Sequence, residues 1–179
     1  MAFVCLLTVP AWAEQRLWER LATEPNLVVL MRHTQAGGGN PLAWDESGGC
    51  KGEANLTAEG KAHARRIGEA FAARGIRPFV ITSPMCRCRD TARIAFDEKY
   101  VSDPALREIA SADRERIAEF ERAALSLIAR HRGPTPVVLV NHRPNIELLS
   151  LELIDPGELV VGRANPKGET DVLGRIRIP

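Results

Sequence analysis

The chain has 179 residues, of which 45% are hydrophobic and 26% are charged, and its formal net charge is +1. This length suits one domain with a core of its own. The near-neutral balance excludes the broad basic surface typical of proteins that bind nucleic acid or anionic membranes, so we expect no nucleic-acid partner and only local anion-binding power.

The first residues have the pattern of a secretory leader. An apolar run from Ala2 to Pro10 is too short to span a bilayer, and Ala11-Trp12-Ala13 has the small-x-small form of a signal-peptidase site. We therefore predict a signal peptide at residues 1–13, truncated at its start because no Lys or Arg precedes the run. The mature domain would comprise residues 14–179, without a transmembrane segment, in the periplasm or secreted. The alternative is a buried first strand or helix, which Pro10 would interrupt.

The remainder alternates apolar runs with amphipathic segments joined by short loops, which predicts an α/β layered domain. Thr57 is the expected N-cap of the first helix, and Ser83-Pro84 has the cap-plus-proline pattern of a helix start. The predicted elements are a strand at 26–31, a helix at 57–75, a strand at 78–82, a helix at 83–96, a helix at 113–131, a strand at 136–140, a helix at 144–154, and closing strands at 158–162 and 171–178.

Two histidines fall at positions where a structural role is expected. His63 lies on the polar side of the first predicted helix, and His131 lies at the C-terminus of the helix at 113–131. That long helix is densely charged on one side, which indicates a solvated face and not a binding patch.

The cysteines leave two alternatives open. Cys5 would leave with the leader, so the mature chain keeps Cys50, Cys86 and Cys88. Cysteines separated by one residue rarely bridge each other, so Cys50 is expected to pair with Cys86 or with Cys88, and buried free thiols are the alternative. No His or Cys follows the Cys-x-Cys pair at ligand spacing, so we predict no metal site.

Polar residues follow three of the apolar strands at the points where the strands end. They are Arg32-His33-Thr34, Ser83 through Arg87, and Asn141-His142-Arg143. Ligands bind outside the carboxyl ends of the strands in an open α/β sheet, so these residues predict a small positive pocket. Guanidinium groups match phosphate oxygens, and a histidine among cations stays neutral and nucleophilic. The set therefore predicts phosphoryl transfer through a covalent phosphohistidine, without a metal or another cofactor.

Four segments resemble the motifs of the histidine phosphatase superfamily. Leu30–Thr34 resembles its nucleophile motif, Asn55–Gly60 its Leu-Thr-x-x-Gly helix start, Ser83–Ala92 its second-arginine helix, and Val138–Asn145 its second-histidine segment. The resemblance covers nearly the whole mature chain. It implies a single-domain three-layer α/β sandwich, with a mostly parallel central sheet and helices on both faces, and a metal-independent phosphoric monoester hydrolase.

The resemblance also implies roles for individual residues. His33 would be the nucleophile, and Thr34 and Asn141 stand where the family has glycine, which would add polar groups at the pocket wall. The residues that would bind phosphate are Arg32, Arg87, His142, Thr34 and Asn141.

The general acid of the family usually comes from a loop between the second-arginine helix and the third strand. Leu106-Arg107-Glu108 resembles the setting of that acid, which makes Glu108 the candidate, with Asp103 and Asp113 as fallbacks. The alternative for Glu108 is an ordinary solvated glutamate or a charge at a helix start.

Within the superfamily, the leader, the small size and the cysteine after the first motif resemble the periplasmic phosphatases of lipopolysaccharide core heptose phosphates. We expect an exported phosphatase whose partner is a small phosphorylated substrate, such as a sugar phosphate or lipopolysaccharide core. The alternatives are a phosphohistidine-protein phosphatase and a non-catalytic phosphate-binding module. Gln35 to Asn40 departs from the mutase branch, which argues against phosphoglycerate mutase activity. The pocket walls are expected in the loops Gly37–Ala54 and Pro104–Asp113.

Overall fold

A computed structural model of the chain describes residues 11–97 and 99–179. Its helices are α1 (Ala11–Thr23), α2 (Ala58–Ala72), α3 (Cys86–Phe96), α4 (Arg114–Arg130) and α5 (Arg143–Ser150). Its strands are β1 (Leu27–Arg32), β2 (Ala36–Gly37), β3 (Asn55–Leu56), β4 (Phe79–Thr82), β5 (Tyr100–Ser102), β6 (Val137–Asn141), β7 (Leu159–Ala164) and β8 (Thr170–Ile176).

The central sheet has the strand order β5-β4-β6-β1-β7-β8. The four strands from β5 to β1 are parallel, whereas β7 runs antiparallel to β1 and β8 antiparallel to β7. Every residue of β6 is buried, and so are the first five of β1, as expected for parallel strands covered on both faces. The mostly parallel α/β sheet predicted from the sequence is confirmed.

Helices cover both faces of this sheet and form the outer layers of a three-layer sandwich. Because side chains alternate along a strand, Val29 and Met31 of β1 pack with α1, α2 and α3, while Val28 and Leu30 pack with α4 and α5. The two resulting apolar clusters hold the carboxyl ends of β4, β6 and β1 in fixed positions.

The boundaries of three helices can be compared with those predicted from local sequence signals. Thr57 caps α2 as predicted, because its hydroxyl oxygen accepts a hydrogen bond from the Gly60 amide at 3.0 Å. Helix α3 begins at Cys86 instead of after Ser83, and Met85 is its N-cap without a side-chain hydrogen bond. Helix α5 ends at Ser150, four residues earlier than predicted, because Leu151 adopts a positive φ of 59°.

Helix α1, the two-stranded β2–β3 ladder and the edge strand β5 were not predicted. Leu17, Trp18 and Leu21 of α1 are buried against the sheet, whereas Trp12 is 65% exposed. Residues 1–10 of the predicted signal peptide lie outside the described residues, so the leader stays a prediction. Within the described ranges, no helix combines the length and apolar character that crossing a membrane requires.

The two structural histidines differ in their surroundings. His131 is the C-cap of α4, where its Nδ1 donates to the Leu127 carbonyl at 2.8 Å. His63 does not lie on an open polar face, since it is half-buried against Gly157. A Cβ atom at Gly157 would stand 2.3 Å from the His63 ring, so glycine is required there.

Candidate active site

The carboxyl ends of three adjacent strands bring the predicted site residues together. Strand β6 lies between β4 and β1. The His33 amide donates to the Asn141 carbonyl at 3.0 Å, and the Ser83 amide donates to the Val140 carbonyl at 3.0 Å, so the strand pairing continues one residue beyond β1 and β4. These backbone bonds fix the position of each side chain that follows a strand.

His33 is held in one tautomer. Its Nδ1 lies 2.8 Å from the Thr34 carbonyl oxygen, which can only accept, so Nδ1 carries the proton and Nε2 keeps a lone pair. The Arg87 Nε–H donates to that lone pair at 3.2 Å. Burial, reinforced by the charges of Arg87 and Arg32, lowers the pKa of His33 to about 3. The ring is therefore neutral at ordinary pH, with the lone pair that a nucleophile requires.

Arg87 is the centre of the cluster. It lies in the first turn of α3, is 2% exposed, and its Nη2 donates to the Pro41 carbonyl at 2.9 Å and to His142 Nδ1 at 3.1 Å. Nη2 also forms an ion pair with the Glu108 carboxylate. One guanidinium group thus contacts His33, His142 and Glu108.

His142 has the opposite tautomer. Because its Nδ1 accepts from Arg87, its Nε2 carries the proton and donates to Ser83 Oγ at 2.8 Å. Complete burial, followed by the charge of Arg87, keeps the pKa of His142 well below its ordinary value. The Cys88 sulfur lies 3.6 Å from Nε2, and burial raises the pKa of that thiol to about 12, so it is uncharged. Cys88 was not predicted as a site residue, and Ser83 was predicted only as part of the segment Ser83 through Arg87, without a role of its own.

Several buried donors at these strand ends have no hydrogen-bond partner in the part of the chain that the structure describes. They are Nε of Arg32, Nη1 of Arg87 and Nδ2 of Asn141. Arg32 is anchored by Nη1, which donates to the Ile154 carbonyl at 3.0 Å, and burial lowers the pKa of its guanidinium. Buried donors normally have a hydrogen-bond partner, so these three donors are suited to bind the oxygens of an anion such as phosphate.

The two residues that replace family glycines differ in how their side chains are engaged. The Asn141 Oδ1 accepts from the His142 amide at 2.9 Å, which leaves its Nδ2 for a ligand. Thr91 donates its hydroxyl to the Arg87 carbonyl at 2.7 Å, so its oxygen accepts from the Thr34 amide at 3.2 Å and from the Thr34 hydroxyl at 3.3 Å. The Thr34 hydroxyl is thus bound to α3, which does not favour its predicted contact with phosphate.

Glu108 is the carboxylate that the structure brings to the cluster. Its Oε2 pairs with Arg87 and lies 3.7 Å from His142 Nδ1. Burial raises its pKa, against the lowering effect of Arg87. The two fallback residues lie elsewhere as helix caps: Asp103 accepts from the Ala105 amide at 2.9 Å and Asp113 from the Arg116 amide at 2.9 Å.

Asn145 supports the segment that carries Glu108. Its side chain is buried, with Oδ1 accepting from the Ile109 amide at 3.2 Å and Nδ2 donating to the Arg107 carbonyl at 2.9 Å. The amide of one side chain therefore fixes the backbone on both sides of Glu108. No local pattern in the sequence indicated this role, because the contact joins α5 to a loop 36 residues away.

A disulfide between Cys50 and Cys86 joins the loop Gly37–Ala54 to the start of α3, and Cys88 stays free. This is one of the two pairings predicted from the sequence. Glu53, only 2% exposed, reinforces the link, because its carboxylate accepts from the Cys86 amide at 2.7 Å and from the Asp45 amide at 2.8 Å. The residue next to Cys86 is Arg87, so the loop is anchored directly beside the cluster.

Within residues 11–97 and 99–179, no group of three or more His, Cys, Asp or Glu side chains could hold a metal ion. The side chains around His33 are dominated by hydrogen-bond donors, which suit an anion.

Comparisons with known proteins agree with the fold. The family model for the histidine phosphatase superfamily, branch 1, matches residues 28–134. SixA from Agrobacterium tumefaciens is similar at 23% identity and a TM-score of 0.57, over 87% of this chain and 99% of that one. TTHB049 from Thermus thermophilus is similar at 21% identity and a TM-score of 0.60, over 86% and 99%.

A third similar structure is the mycobacterial glucosyl-3-phosphoglycerate phosphatase Rv2419c, at 16% identity and a TM-score of 0.57, over 82% of this chain and 95% of that one. No curated protein matches the chain. The family match ends before His142, so the placement of the second histidine rests on the geometry described above.

Proposed function

The chain belongs to the histidine phosphatase superfamily, and from this premise we propose that it is an exported phosphoric monoester hydrolase that acts on a small sugar phosphate through a phosphohistidine on His33. The observation that carries the proposal is the state of His33. Its neutral ring directs an Nε2 lone pair at Arg87, within the cluster that also contains His142 and Glu108.

In the first step, the lone pair of His33 Nε2 attacks phosphorus, the P–N bond forms and the ester P–O bond breaks. The donors of Arg32, Arg87 and Asn141 stabilise the charge on the phosphoryl oxygens. Protonated Glu108 gives its proton to the leaving alkoxide, which becomes the free alcohol. The raised pKa of Glu108 increases the fraction that carries this proton near neutral pH.

In the second step, water attacks phosphorus and the P–N bond breaks. Glu108, now a carboxylate, accepts the proton from the attacking water, and the electron pair returns to His33 Nε2. Inorganic phosphate leaves, and both Glu108 and His33 regain their initial states. Neither step consumes a cofactor.

The test of this proposal is His33→Ala, assayed on nitrophenyl phosphate and on a sugar phosphate. We expect hydrolysis to fall by roughly a thousandfold or more on both, because the nucleophile is lost. His131→Ala is the matched control, since His131 is the C-cap of α4 and lies outside the cluster. Rapid acid-free quenching with a labelled phosphate ester should trap label on the wild type only. Unchanged turnover by His33→Ala would contradict the proposed role.

Two observations support export. The disulfide Cys50–Cys86 is of the kind that persists in oxidising compartments. Cleavage after Ala13 would also preserve the fold, because the core residues Leu17, Trp18 and Leu21 of α1 all follow that position. N-terminal sequencing of protein recovered from cells tests this, with Glu14 expected as the first residue. An intact leader on a cytosolic product would contradict it.

A phosphohistidine-protein phosphatase is the second candidate. It is favoured by the similarity in fold to the protein histidine phosphatase SixA, at 16% identity over 84% of this chain. A phosphohistidine domain and a sugar phosphate assayed side by side would separate the two candidates. A kcat/KM at least tenfold higher on the phosphoprotein would favour this second function.

A further inference from the structure

A cleft of about 280 Å³ opens beside Glu108. This volume is close to the lower end of small-molecule pockets, roughly 300 Å³, and suits a group with the size of one ring. Its walls come from the loop Gly37–Ala54, the segment before α4 and the first turn of α4. The residues that line it include Leu42, Trp44, Glu46, Met85, Arg107 and Glu108.

The cleft continues directly from the catalytic cluster. Glu108 lines it and pairs with Arg87, and Met85 lines it while its sulfur lies 3.6 Å from Arg87 Nη2. A phosphoryl group held at Arg87 and His33 would therefore direct its ester oxygen past Glu108. The cleft lies where the alcohol part of a substrate would be.

Two opposite charges face this cleft without engaging each other. The Arg107 guanidinium stacks on the Trp44 ring, 4.4 Å from its centroid, and is half-buried. Within residues 11–97 and 99–179, the side chains of Arg107 and Glu46 make no hydrogen bond or ion pair. Arg116, which also lines the cleft, donates from Nη2 to the Ala105 carbonyl at 2.8 Å, and its Nη1 lies 3.4 Å from the Glu119 carboxylate, which offsets its charge.

This combination selects for the charge of the ligand. A second anionic group would be attracted by Arg107 but repelled by the carboxylate of Glu46, and a cationic group would meet the reverse. A neutral polyol satisfies both, because its hydroxyl groups donate to Glu46 and accept from Arg107. Leu42, Trp44 and Met85 supply apolar surface for the C–H groups of a ring.

We propose that the cleft is the subsite for the sugar ring of the substrate, with Glu46 and Arg107 as the residues that select a neutral sugar over an anionic leaving group. The inference rests on the proposed function, because it assumes that the phosphoryl group is held at His33. It assigns specificity to two residues that take no part in the chemical steps.

The test compares three kinds of phosphate ester: hexose phosphates esterified at position 1 or 6, glycerol 3-phosphate, and 3-phosphoglycerate. We expect the best hexose phosphate to have a kcat/KM at least tenfold above both others. Glycerol 3-phosphate is too short to fill the cleft, and 3-phosphoglycerate carries the second anion. Equal or better turnover of 3-phosphoglycerate would overturn the inference.

Two variants, each with a control, test whether Glu46 and Arg107 cause the preference for hexose phosphate. Glu46→Gln keeps size and removes the charge, and Arg107→Leu removes the donors. Each should raise KM for the hexose phosphate by about tenfold, the effect of one hydrogen bond to a charged group, and change KM for glycerol 3-phosphate much less. Glu121→Gln and Arg122→Leu, exposed on α4, are the matched controls.

The outcomes also separate this inference from the proposed function. If the wild type hydrolyses every ester and the two variants change nothing, the sugar subsite is wrong while the phosphatase mechanism stands. If no ester is hydrolysed by the wild type, both are overturned. A selective rise in KM on hexose phosphates alone supports both.

Discussion

At the scale of the residue, the burial of His33 makes the stability of the protein depend on pH. The folded protein holds the pKa of His33 at about 3, whereas an unfolded chain has the ordinary value of 6.5. Between these values the unfolded chain binds a proton that the folded protein does not, so the free energy of unfolding falls as the pH decreases through this range. From pH 7 to pH 4.5 we expect His33 to account for a loss of about 2–3 kcal/mol.

The measurement is urea unfolding of the wild type and of His33→Gln at both values of pH. Glutamine has a similar size and no proton to gain, so the variant should lose less stability at pH 4.5 than the wild type. His142, whose pKa is lowered in the same direction, remains in both proteins. Identical losses in the two proteins would show that His33 is not held neutral by the fold.

Glu108 gives a second prediction at this scale, which concerns the leaving group. An alkoxide leaves poorly unless it is protonated, whereas nitrophenolate needs no help. Glu108→Gln should therefore slow hydrolysis of a sugar phosphate by about a hundredfold or more, and that of nitrophenyl phosphate far less. The basic limb of the pH–rate profile should flatten, because Glu108 must be protonated to act and its pKa is raised. Equal losses on both esters would assign Glu108 to phosphate positioning.

At the scale of the element, Asn145 of α5 determines where Glu108 lies. Asn145→Ala removes the bonds to the Ile109 amide and the Arg107 carbonyl and leaves these groups buried and unpaired, so unfolding should become easier by about 1–3 kcal/mol. If the role is positioning, kcat on a sugar phosphate should fall at least tenfold more than kcat on nitrophenyl phosphate. A merely structural role would lower both by the same factor.

The sequence was sufficient to predict which residues meet at the strand ends, but not the side-chain contacts around them. Buried apolar runs in a parallel sheet bring their carboxyl ends together by topology, which places His33 and His142 without knowledge of the packing. Ser83 was interpreted as a helix cap because the Ser-Pro signal is local. Its hydroxyl instead accepts from His142, 59 residues away, and the Thr34–Thr91 pair is 57 residues apart. Contacts between residues so far apart along the chain produce no periodic pattern in the sequence.

Helix α1 illustrates a different limit. The residues from Ala11 to Ala13 were interpreted as a cleavage site, and no element was assigned to the polar segment that follows. Its burial depends on Leu17, Trp18 and Leu21 meeting α2 and β8, which only the tertiary structure reveals. The choice between Cys86 and Cys88 was equally open, because it depends on which side of α3 faces the loop.

At the scale of the whole molecule, the disulfide joins positions 36 residues apart and closes β3, α2 and β4 into one covalent ring. The entropy lost by the unfolded chain predicts a stabilisation of about 3–4 kcal/mol. Cys50→Ser/Cys86→Ser should unfold at a lower temperature by several degrees, and a reductant should lower the melting temperature of the wild type in the same way.

The reductant should leave the melting temperature of the double variant unchanged, so this variant is also the control for the reductant. Because the loop supplies the Pro41 carbonyl to Arg87, we expect hydrolysis of the sugar phosphate to weaken as well. Cys88→Ala tests whether the loss of stability is specific to the disulfide, because Cys88 is not part of that bond. Equal melting temperatures for the oxidised and reduced wild type would contradict a stabilising disulfide.

The anchoring of the loop Gly37–Ala54 has a consequence for how new substrate preferences could arise. The loop starts and ends in the β2–β3 ladder and is fastened at Cys50 and Glu53, so its tip from Leu42 to Gly49 is bounded by fixed points on both sides. If the cleft binds the sugar ring as proposed, segments of equal length substituted for this tip should change which sugar is accepted, because Leu42, Trp44 and Glu46 of the tip line the cleft. Arg87 contacts the loop at the Pro41 carbonyl, outside the tip, so we expect the phosphate site to keep its geometry.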